Sequence, residues 1–319
     1  MKIVVADSNL AVHRDRFEAG LPTGSKVVWG GDGKDLGDAD VFVGGRFTAA
    51  MAAAGAKLRL IHVAGAGTDK VEFAALRPDI LVANTFHHEQ SMAEYVLAAA
   101  VLLRRDFLAQ DRALRAGVWA TSVYDSDMAQ LPAIGQLRVG LVGFGHIGQR
   151  VWELFCGLGS SGAAVTGSGR VDVAAHGLSW AGDSSTLNRL MAESDVVVVS
   201  APLTPETEGM IGAEQLRALG PDGVLINVGR GALVAEQALY EALRARHIRA
   251  AAIDVWYRYP GPGGRGLPSA FPFGELTNVL MTPHSSGVTT DTFGGRADEI
   301  AANIGRLDRG EPLRNMVTR

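Results

Sequence analysis

Short apolar runs alternate with stretches of helical periodicity along most of the chain. Several of the runs are apolar at consecutive positions, which is typical of strands buried between two layers of helices. The alternation predicts an α/β fold with parallel sheets. The predicted strands are Lys2–Ala6, Lys26–Trp29, Asp40–Val43, Leu58–Val63 and Ile80–Ala83, followed by Leu137–Val142, Ala163–Gly167, Asp195–Ser200, Gly223–Val228, Ala250–Val255 and Asn278–Thr282.

A long helical stretch separates these two sets of strands. Ser91–Gly117 is rich in Ala, Leu and Arg, and Ser91 followed by Glu94 has the spacing of a capping box at a helix N-terminus. The tail Asp291–Arg309 again has apolar residues three and four apart. The pattern therefore predicts a helical connection between two domains and a closing C-terminal helix.

Composition narrows the class of protein. The 319 residues include 40 glycines but one cysteine, Cys156, so no intramolecular disulfide can form and we expect no metal site. No apolar stretch reaches the 18 or so residues of a membrane span, and the N-terminus lacks a signal-peptide layout. We expect a cytoplasmic protein with no membrane partner. The net charge of −4, without a basic stripe, argues against nucleic acid as a partner.

The clearest motif is a strand that runs into G-x-G-x-x-G and then a helix, with glycines at Gly143, Gly145 and Gly148. The first glycine allows a tight turn, the second lets the backbone approach a pyrophosphate, and the third allows close helix–strand packing. The phosphates would lie at a helix N-terminus, which favours anions. The motif predicts dinucleotide binding, although a turn with a purely structural role has the same glycines.

The end of the next strand bears on which dinucleotide binds. An acidic residue there would bind the ribose 2′-hydroxyl of NAD. This chain instead has Ser168 and Arg170, with no acid before Asp172. Serine and arginine suit a 2′-phosphate, so we favour NADP over NAD. The alternative is that Arg170 is solvated and Asp172 turns back to serve NAD.

Four further segments resemble motifs of one protein family. They are Ala64–Asp69, Ala201–Gly209, Leu225–Val234 and Met281–Gly287. Together with the glycine motif they resemble the D-isomer-specific 2-hydroxyacid dehydrogenases, from about Leu58 to the C-terminus. The resemblance implies two Rossmann-like, doubly wound parallel-sheet domains. The first would be a discontinuous substrate domain, residues 1–98 plus 286–319, completed by the C-terminal helix. Residues 99–285 would be the dinucleotide-binding domain, with the active site in the cleft between the two.

The resemblance also implies roles for individual residues. Arg230 would bind the substrate carboxylate and polarise its carbonyl, and His284 would be the acid/base. A cation and a proton donor suit a reaction that builds charge on oxygen. Backbone amides around Ala66 and Gly67 would complete the carboxylate site. The expected cofactor contacts are Gly143, Gly145, His146, Ile147, Gly148, Ser168, Arg170, Pro202, Val228 and Asp254.

One position departs from the family pattern. The family usually has a glutamate five residues after the Asp of its D-V segment, where it pairs with the catalytic histidine. Here that Asp is Asp254, and the position holds Tyr259. A carboxylate would favour the imidazolium form of His284, and a phenol cannot supply that charge. We expect Tyr259 to belong to the catalytic group and to orient His284 by a hydrogen bond; the alternative is an aromatic wall.

The sequence says less about the substrate. Arg46 follows a strand at an edge where family members meet substrate, and His87 and His88 precede the central helical stretch. These side chains would accept a second anionic group, such as a phosphonate. The alternative for the two histidines is a solvated loop pair.

The resulting hypothesis is an NAD(P)-dependent oxidoreductase that acts on a small anionic D-2-hydroxy acid, 2-keto acid or close analogue. The resemblance implies a homodimer. Tyr259 motivates a formate- or phosphite-like dehydrogenase as the second candidate. A third candidate, of another class, is a dinucleotide-sensing protein similar to the transcriptional corepressors of this family.

Overall fold

The computed structural model describes residues 1–261 and 263–318. They form two compact units, and the chain passes between them at His88–Glu89 and at Gly287–Val288. All strand pairs within the two sheets are parallel, which confirms the predicted α/β class. The predicted domain limits at residues 98 and 286 stay predictions.

In the described residues the chain forms twelve strands and ten α-helices, with short 3₁₀ turns between them. The strands are β1 Lys2–Val5, β2 Lys26–Trp29, β3 Val41–Val43, β4 Leu60–His62, β5 Leu81–Ala83, β6 Arg138–Val142, β7 Ser161–Val165, β8 Trp180–Gly182, β9 Val196–Val199, β10 Val224–Asn227, β11 Ala250–Ile253 and β12 Val279–Met281. The helices are α1 Arg14–Ala19, α2 Ala49–Ala54, α3 Glu89–Arg104, α4 Phe107–Arg115, α5 His146–Gly157, α6 Val173–His176, α7 Leu187–Glu193, α8 Ala213–Leu219, α9 Glu236–Arg244 and α10 Thr290–Arg309.

The first unit is built on a five-stranded sheet in the order β2-β1-β3-β4-β5. Successive strand residues point to opposite faces, so each strand supplies two cores. Ile3 and Val5 pack with the apolar side of α10 on one face, and Val4 and Phe42 belong to the core of the other face. Both faces are covered, as the doubly wound prediction requires.

The second unit has a seven-stranded sheet in the order β12-β11-β10-β9-β6-β7-β8. Leu141 and Val198 pack on one face with residues of α3 and α5. Val142 and Val199 pack on the other face with α7, α8 and α9. Ligands of such sheets bind at the carboxyl ends of the strands, where the strand order reverses. That point lies between β6 and β9 here, and between β1 and β3 in the first unit.

The central helical stretch is two helices rather than one. Helix α3 ends at Arg104 and α4 begins at Phe107, with Asp106 between them in the left-handed region at φ 54°. The predicted capping box is wrong, because α3 begins at Glu89 and Ser91 lies inside it. Glu94 instead accepts a hydrogen bond from the Gln90 side chain at 2.6 Å.

The C-terminal segment returns to the first sheet after α10. Met316 forms an antiparallel bridge with Ala83 on β5, and the Val317 amide donates to the Val82 carbonyl at 2.9 Å. The Asn84 amide likewise donates to the Asn315 carbonyl at 3.1 Å. The segment therefore covers the edge of the sheet at β5.

Within residues 1–261 and 263–318, none of the helices is both long enough and apolar enough to cross a membrane. The His, Cys, Asp and Glu side chains of these residues include no group of three or more that could hold a metal ion.

Candidate active site

A cavity of about 1040 Å³ opens at the strand-order reversal of the second sheet. Its walls include five of the ten residues predicted to bind the cofactor, from the turns after β6, β7 and β9. These five are Gly143, Gly145, Ser168, Arg170 and Pro202. The other five, which are not among the lining residues, are His146, Ile147, Gly148, Val228 and Asp254.

The three motif glycines differ in what surrounds them. Gly143 has φ +95°, and a Cβ there would lie 2.7 Å from the Ala201 nitrogen. A Cβ on Gly148 would lie 2.3 Å from the Gly143 carbonyl oxygen, whereas at Gly145 it would meet no atom within 4 Å. Gly143 and Gly148 are thus needed to close the turn, whereas Gly145 leaves the backbone open where α5 begins. A pyrophosphate needs that opening at a helix N-terminus, so these residues fit a dinucleotide.

The turn after β7 supplies polar groups to the same cavity. Ser168 and Arg170 line it, and the Arg170 amide donates to the Ser168 hydroxyl at 3.3 Å. Asp172 is the N-cap of α6, where its Oδ1 accepts a hydrogen bond from the Ala175 amide at 3.0 Å. Asp172 also lines the cavity, and the cap uses one of its two carboxylate oxygens, so a ribose diol could still bind the other oxygen.

The predicted catalytic side chains follow three neighbouring strands. Arg230 comes after β10, Tyr259 after β11 and His284 after β12, and these strands are adjacent in the sheet. The strands are parallel, so the three loops lie together at the carboxyl ends of the strands. A Cβ on Gly231 would lie 2.6 Å from the Trp256 carbonyl carbon, so the first two loops are in contact.

A buried asparagine shapes the turn that carries Arg230. Asn227 is 2% exposed; its Nδ2 donates to the Arg230 carbonyl at 2.9 Å, and its Oδ1 accepts from the Gly229 amide at 3.1 Å. The Arg230 guanidinium donates to the Gly229 carbonyl at 2.9 Å. Side-chain bonds of this kind fix a tight turn, and they hold Arg230 half-buried at the sheet edge.

The loop that carries His284 is held by Asp254. This aspartate is fully buried, and its carboxylate accepts four hydrogen bonds of 2.5–3.1 Å. The donors are the Thr282 hydroxyl, the Ser285 amide, and the amide and hydroxyl of Ser286. His284 lies between these anchors at φ 58°, a left-handed conformation that costs a histidine about 1 kcal/mol or more. The carboxylate predicted to bind cofactor therefore fixes the backbone on both sides of His284.

The predicted bond between Tyr259 and His284 is present. Tyr259 Oη lies 2.8 Å from His284 Nδ1, and the Trp256 amide donates to the same Oη at 3.3 Å. The two ring centroids are 5.6 Å apart at an angle of 50°. The hydroxyl therefore connects the loop after β11 to the imidazole.

In the first unit, the Ala66–Gly67 backbone follows β4 and is supported from β5. Asn84 Nδ2 donates to the Ala66 carbonyl at 2.8 Å, and the Thr85 amide donates to the Gly65 carbonyl at 3.2 Å. Because these bonds use carbonyl oxygens, the loop is held without using its amides. Amides at the carboxyl end of a parallel sheet are suited to bind an anion.

Arg46 is exposed on the wall of a second cavity, of about 950 Å³, at the strand-order reversal of the first sheet. Two basic residues line this cavity, and four acidic residues line it as well. The charged lining residues are Arg46 and Lys70 against Asp7, Asp32, Asp69 and Glu72. The surroundings of Arg46 are thus more acidic than a site for a second anion would need.

His87 and His88 do not form a solvated pair. His88 is 7% exposed, and its Nδ1 lies 3.1 Å from the Arg296 guanidinium. His87 Nε2 lies 2.8 Å from a Glu299 carboxylate oxygen. Both side chains are therefore engaged by α10, and the solvated alternative is wrong for His88.

Sequence comparisons identify the family. Residues 97–286 match the model of the "D-isomer specific 2-hydroxyacid dehydrogenase, NAD binding domain". A glyoxylate reductase of Korarchaeum cryptofilum is 31% identical over 82% of this chain and 76% of its own length. A D-3-phosphoglycerate dehydrogenase of Mycobacterium leprae is also 31% identical over 82% of this chain, but the match spans 47% of that longer protein.

A solved structure agrees with this result over nearly the whole chain. It is a D-isomer specific 2-hydroxyacid dehydrogenase from Xanthobacter autotrophicus Py2, in complex with NADPH and MES. It is 28% identical, covers 99% of this chain and 98% of its own, and has a TM-score of 0.79. The parallel sheets, the glycine turn and these matches lead to one conclusion: the chain belongs to the D-isomer specific 2-hydroxyacid dehydrogenase family.

Proposed function

We propose that this protein is an NAD(P)-dependent dehydrogenase that interconverts a small D-2-hydroxy acid and its 2-keto acid. One observation carries the proposal: Arg230 and His284 follow the carboxyl ends of strands in the same sheet that forms the dinucleotide cavity. The name of the glyoxylate reductase relative supports the substrate class.

The proposed chemistry divides between cofactor and side chains. A bound nicotinamide supplies the hydride for reduction and takes it up in oxidation. Arg230 binds the substrate carboxylate through its planar fork of donors and stabilises negative charge that grows on the carbonyl oxygen. His284 donates a proton to that oxygen in reduction and accepts it from the hydroxyl in oxidation.

We place NADP(H) before NAD(H) as the cofactor. Ser168 and Arg170 line the cavity at the end of β7, where they suit a 2′-phosphate. Asp172, the acid that would serve NAD, lines the same cavity, but its Oδ1 is already bonded to the Ala175 amide in the cap of α6. The NADPH bound to the Xanthobacter autotrophicus relative supports the same choice.

We further propose a singly charged acid as substrate. The acidic lining around Arg46 disfavours a second anionic group such as a phosphonate, because like charges repel across a few ångströms. The roles predicted for Arg46, Ala66 and Gly67 in substrate binding stay predictions.

A turnover panel tests the proposed function. The protein is mixed with NADPH or NADH and with glyoxylate, pyruvate, hydroxypyruvate or a phosphonate analogue, and loss of reduced-cofactor absorbance is followed. We expect turnover on at least one keto acid and at least a hundredfold loss in H284A, typical of removing a general acid. H247A is the matched control, because His247 is exposed before β11, at the opposite end of the sheet.

Other outcomes would contradict the proposal. Reduction of NAD or NADP by formate or phosphite, without turnover of any keto acid, would favour the second candidate. Tight cofactor binding without turnover in either direction would favour the dinucleotide sensor.

A homodimer is part of the same proposal. Its support is an exposed apolar segment that runs from the last turn of α4 into the loop after it, with residues between 51% and 77% exposed. The residues are Leu114, Val118, Trp119, Val123 and Tyr124. Trp119 and Tyr124 contact each other, and an exposed aromatic pair of this kind suits a surface that association would bury.

A further inference from the structure

We propose that Tyr259 is the positioning residue of the acid/base: its uncharged hydroxyl holds the imidazole of His284 through Nδ1, so that Nε2 is the nitrogen that exchanges protons with substrate. The inference rests on the proposed function for the identity of the substrate. The contact geometry on which it depends does not.

The first argument is the hydrogen bond itself. The 2.8 Å between Oη and Nδ1 is the length of a well-formed bond. The bond uses one ring nitrogen, and the other lies on the far side of the ring. Fixing Nδ1 therefore fixes where Nε2 points, which a general acid requires.

The second argument is that both partners are anchored separately. The Trp256 amide binds Oη, and the Trp256 indole donates to the Thr282 carbonyl at 2.8 Å, which joins the loops after β11 and β12. His284 is held by the buried carboxylate of Asp254 on both sides of its backbone. The bond thus connects two fixed points, which argues against a simple aromatic wall.

The third argument concerns the protons. A tyrosine hydroxyl has one proton and two lone pairs. The Trp256 amide is a donor and occupies one lone pair, so Oη can either donate to an unprotonated Nδ1 or accept from a protonated one. A carboxylate could only accept. Tyr259 can therefore stay bound to His284 in both protonation states of the ring.

Proton balance in the reaction follows from this. In reduction, the imidazolium releases the Nε2 proton to the carbonyl oxygen as hydride reaches the carbon, and the ring becomes neutral with its Nδ1–H still on Oη. In oxidation, the same Nε2 takes the hydroxyl proton. Tyr259 gains and loses no proton in either direction.

Charged and titratable groups near the His284 loop also bear on how turnover depends on pH. Asp254 binds the backbone beside His284, Arg230 follows the neighbouring strand β10, and Tyr95 of α3 binds the Thr282 hydroxyl. Burial raises the pKa of Tyr95 to about 12, so it remains protonated. Replacing Tyr259 by a carboxylate would add a negative charge at the hydrogen-bond partner of Nδ1 and leave Asp254 and Arg230 unchanged.

Three substitutions at one position test the inference. Y259F removes the bond and keeps the ring; we expect kcat to fall about tenfold to a hundredfold, with KM changed less than about threefold. Y259Q restores a neutral partner and is expected to recover most of that loss. Y259E keeps a partner but adds charge, so the alkaline limb of reduction should move up by about one pH unit. Y240F, in an aromatic cluster of the same unit, is the control.

Wild-type kcat and pH profile in Y259F would overturn the inference in favour of the aromatic wall. So would identical pH profiles for Y259Q and Y259E. A second readout is independent of turnover: ¹⁵N NMR of the His284 ring reports the protonation of each nitrogen across a pH titration. We expect Nδ1 to keep a hydrogen-bonded shift in wild type and to lose it in Y259F. If no acid is turned over, the proposed function fails, and the NMR result still decides the inference.

Discussion

Asp254 has no exposed surface, yet all four hydrogen bonds of its carboxylate go to the loop that carries His284. A buried carboxylate is stable when donors satisfy its oxygens. Here two backbone amides and two hydroxyls do so. The buried carboxylate of Asp254 therefore fixes the loop on both sides of His284.

The first prediction concerns D254N. An amide group has one acceptor oxygen, so its NH₂ would face at least one donor of the loop. We expect the free energy of unfolding to fall by about 1–3 kcal/mol and turnover to fall with it. Urea denaturation measures the stability change, and D222N, at an 81% exposed aspartate paired with Arg249, should change it by less than about 0.5 kcal/mol.

His62 is a second buried polar residue, on β4. Its Nδ1 lies 3.3 Å from the Val63 carbonyl, and its Nε2 lies 2.9 Å from Asn303 Nδ2. An amide nitrogen donates, so Nε2 accepts and Nδ1 carries the proton. Burial lowers the pKa of His62 from 6.5 to about 4, so the ring is neutral in the folded protein.

The second prediction is a loss of stability in mild acid. The unfolded chain binds a proton at His62 below about pH 6.5, and the folded chain does so only near pH 4. The contribution is therefore complete above pH 6.5 and decreases as the pH falls. Between pH 7 and pH 5 the free energy of unfolding should drop by about 2 kcal/mol from this group. Urea titrations should show that the drop is absent from H62N and present in H247A; an equal drop in H62N would exclude His62 as its source.

At the scale of elements, the glycine turn between β6 and α5 gives the third prediction. G148A places a Cβ 2.3 Å from a carbonyl oxygen, whereas G145A meets no atom within 4 Å. We expect G148A to lower the free energy of unfolding by about 1–3 kcal/mol. G145A should leave it within about 0.5 kcal/mol and weaken NADPH binding at least tenfold. Urea denaturation and fluorescence titration separate the two effects, and equal stability of the variants would contradict the assignment.

Most strands could be predicted from apolar runs, because strands covered on both faces are apolar at consecutive positions. β8 could not, since Trp180–Gly182 consists of tryptophan, alanine and glycine and lacks a run of consecutive large apolar residues. The break between α3 and α4 also lacks a sequence signal: Asp106 takes a left-handed conformation in a stretch without glycine or proline.

In the candidate site, too, some features could be predicted from the sequence and others could not. Arg230 and His284 could be predicted because each lies in a family motif after a strand, and Tyr259 because it stands where the family has a glutamate; the expected hydrogen bond between Tyr259 and His284 is present at 2.8 Å. The anchoring role of Asp254 could not, because its donors lie about thirty residues further along the chain. Only folding of β11 beside β12 brings them together.

For the whole molecule, the apolar segment after α4 leads to the fourth prediction. Trp119 and Tyr124 touch edge to face at 5.6 Å while staying 62% and 70% exposed. If a second copy covers them, the double substitution W119S/Y124S should produce monomers in sedimentation experiments in which wild type is dimeric. V12S, at an 84% exposed valine of the first unit, should remain dimeric. Monomeric wild type at micromolar concentration would contradict the proposed homodimer.

The C-terminal segment that pairs with β5 also matters for solubility. Unpaired strand edges are templates for aggregation, and residues 315–317 occupy the edge of the first sheet through backbone bonds to residues 82–84. Removing this short segment would uncover the donors and acceptors of β5 beside a buried apolar core. Residues 315–317 therefore shield the β5 edge from pairing with a strand of another chain.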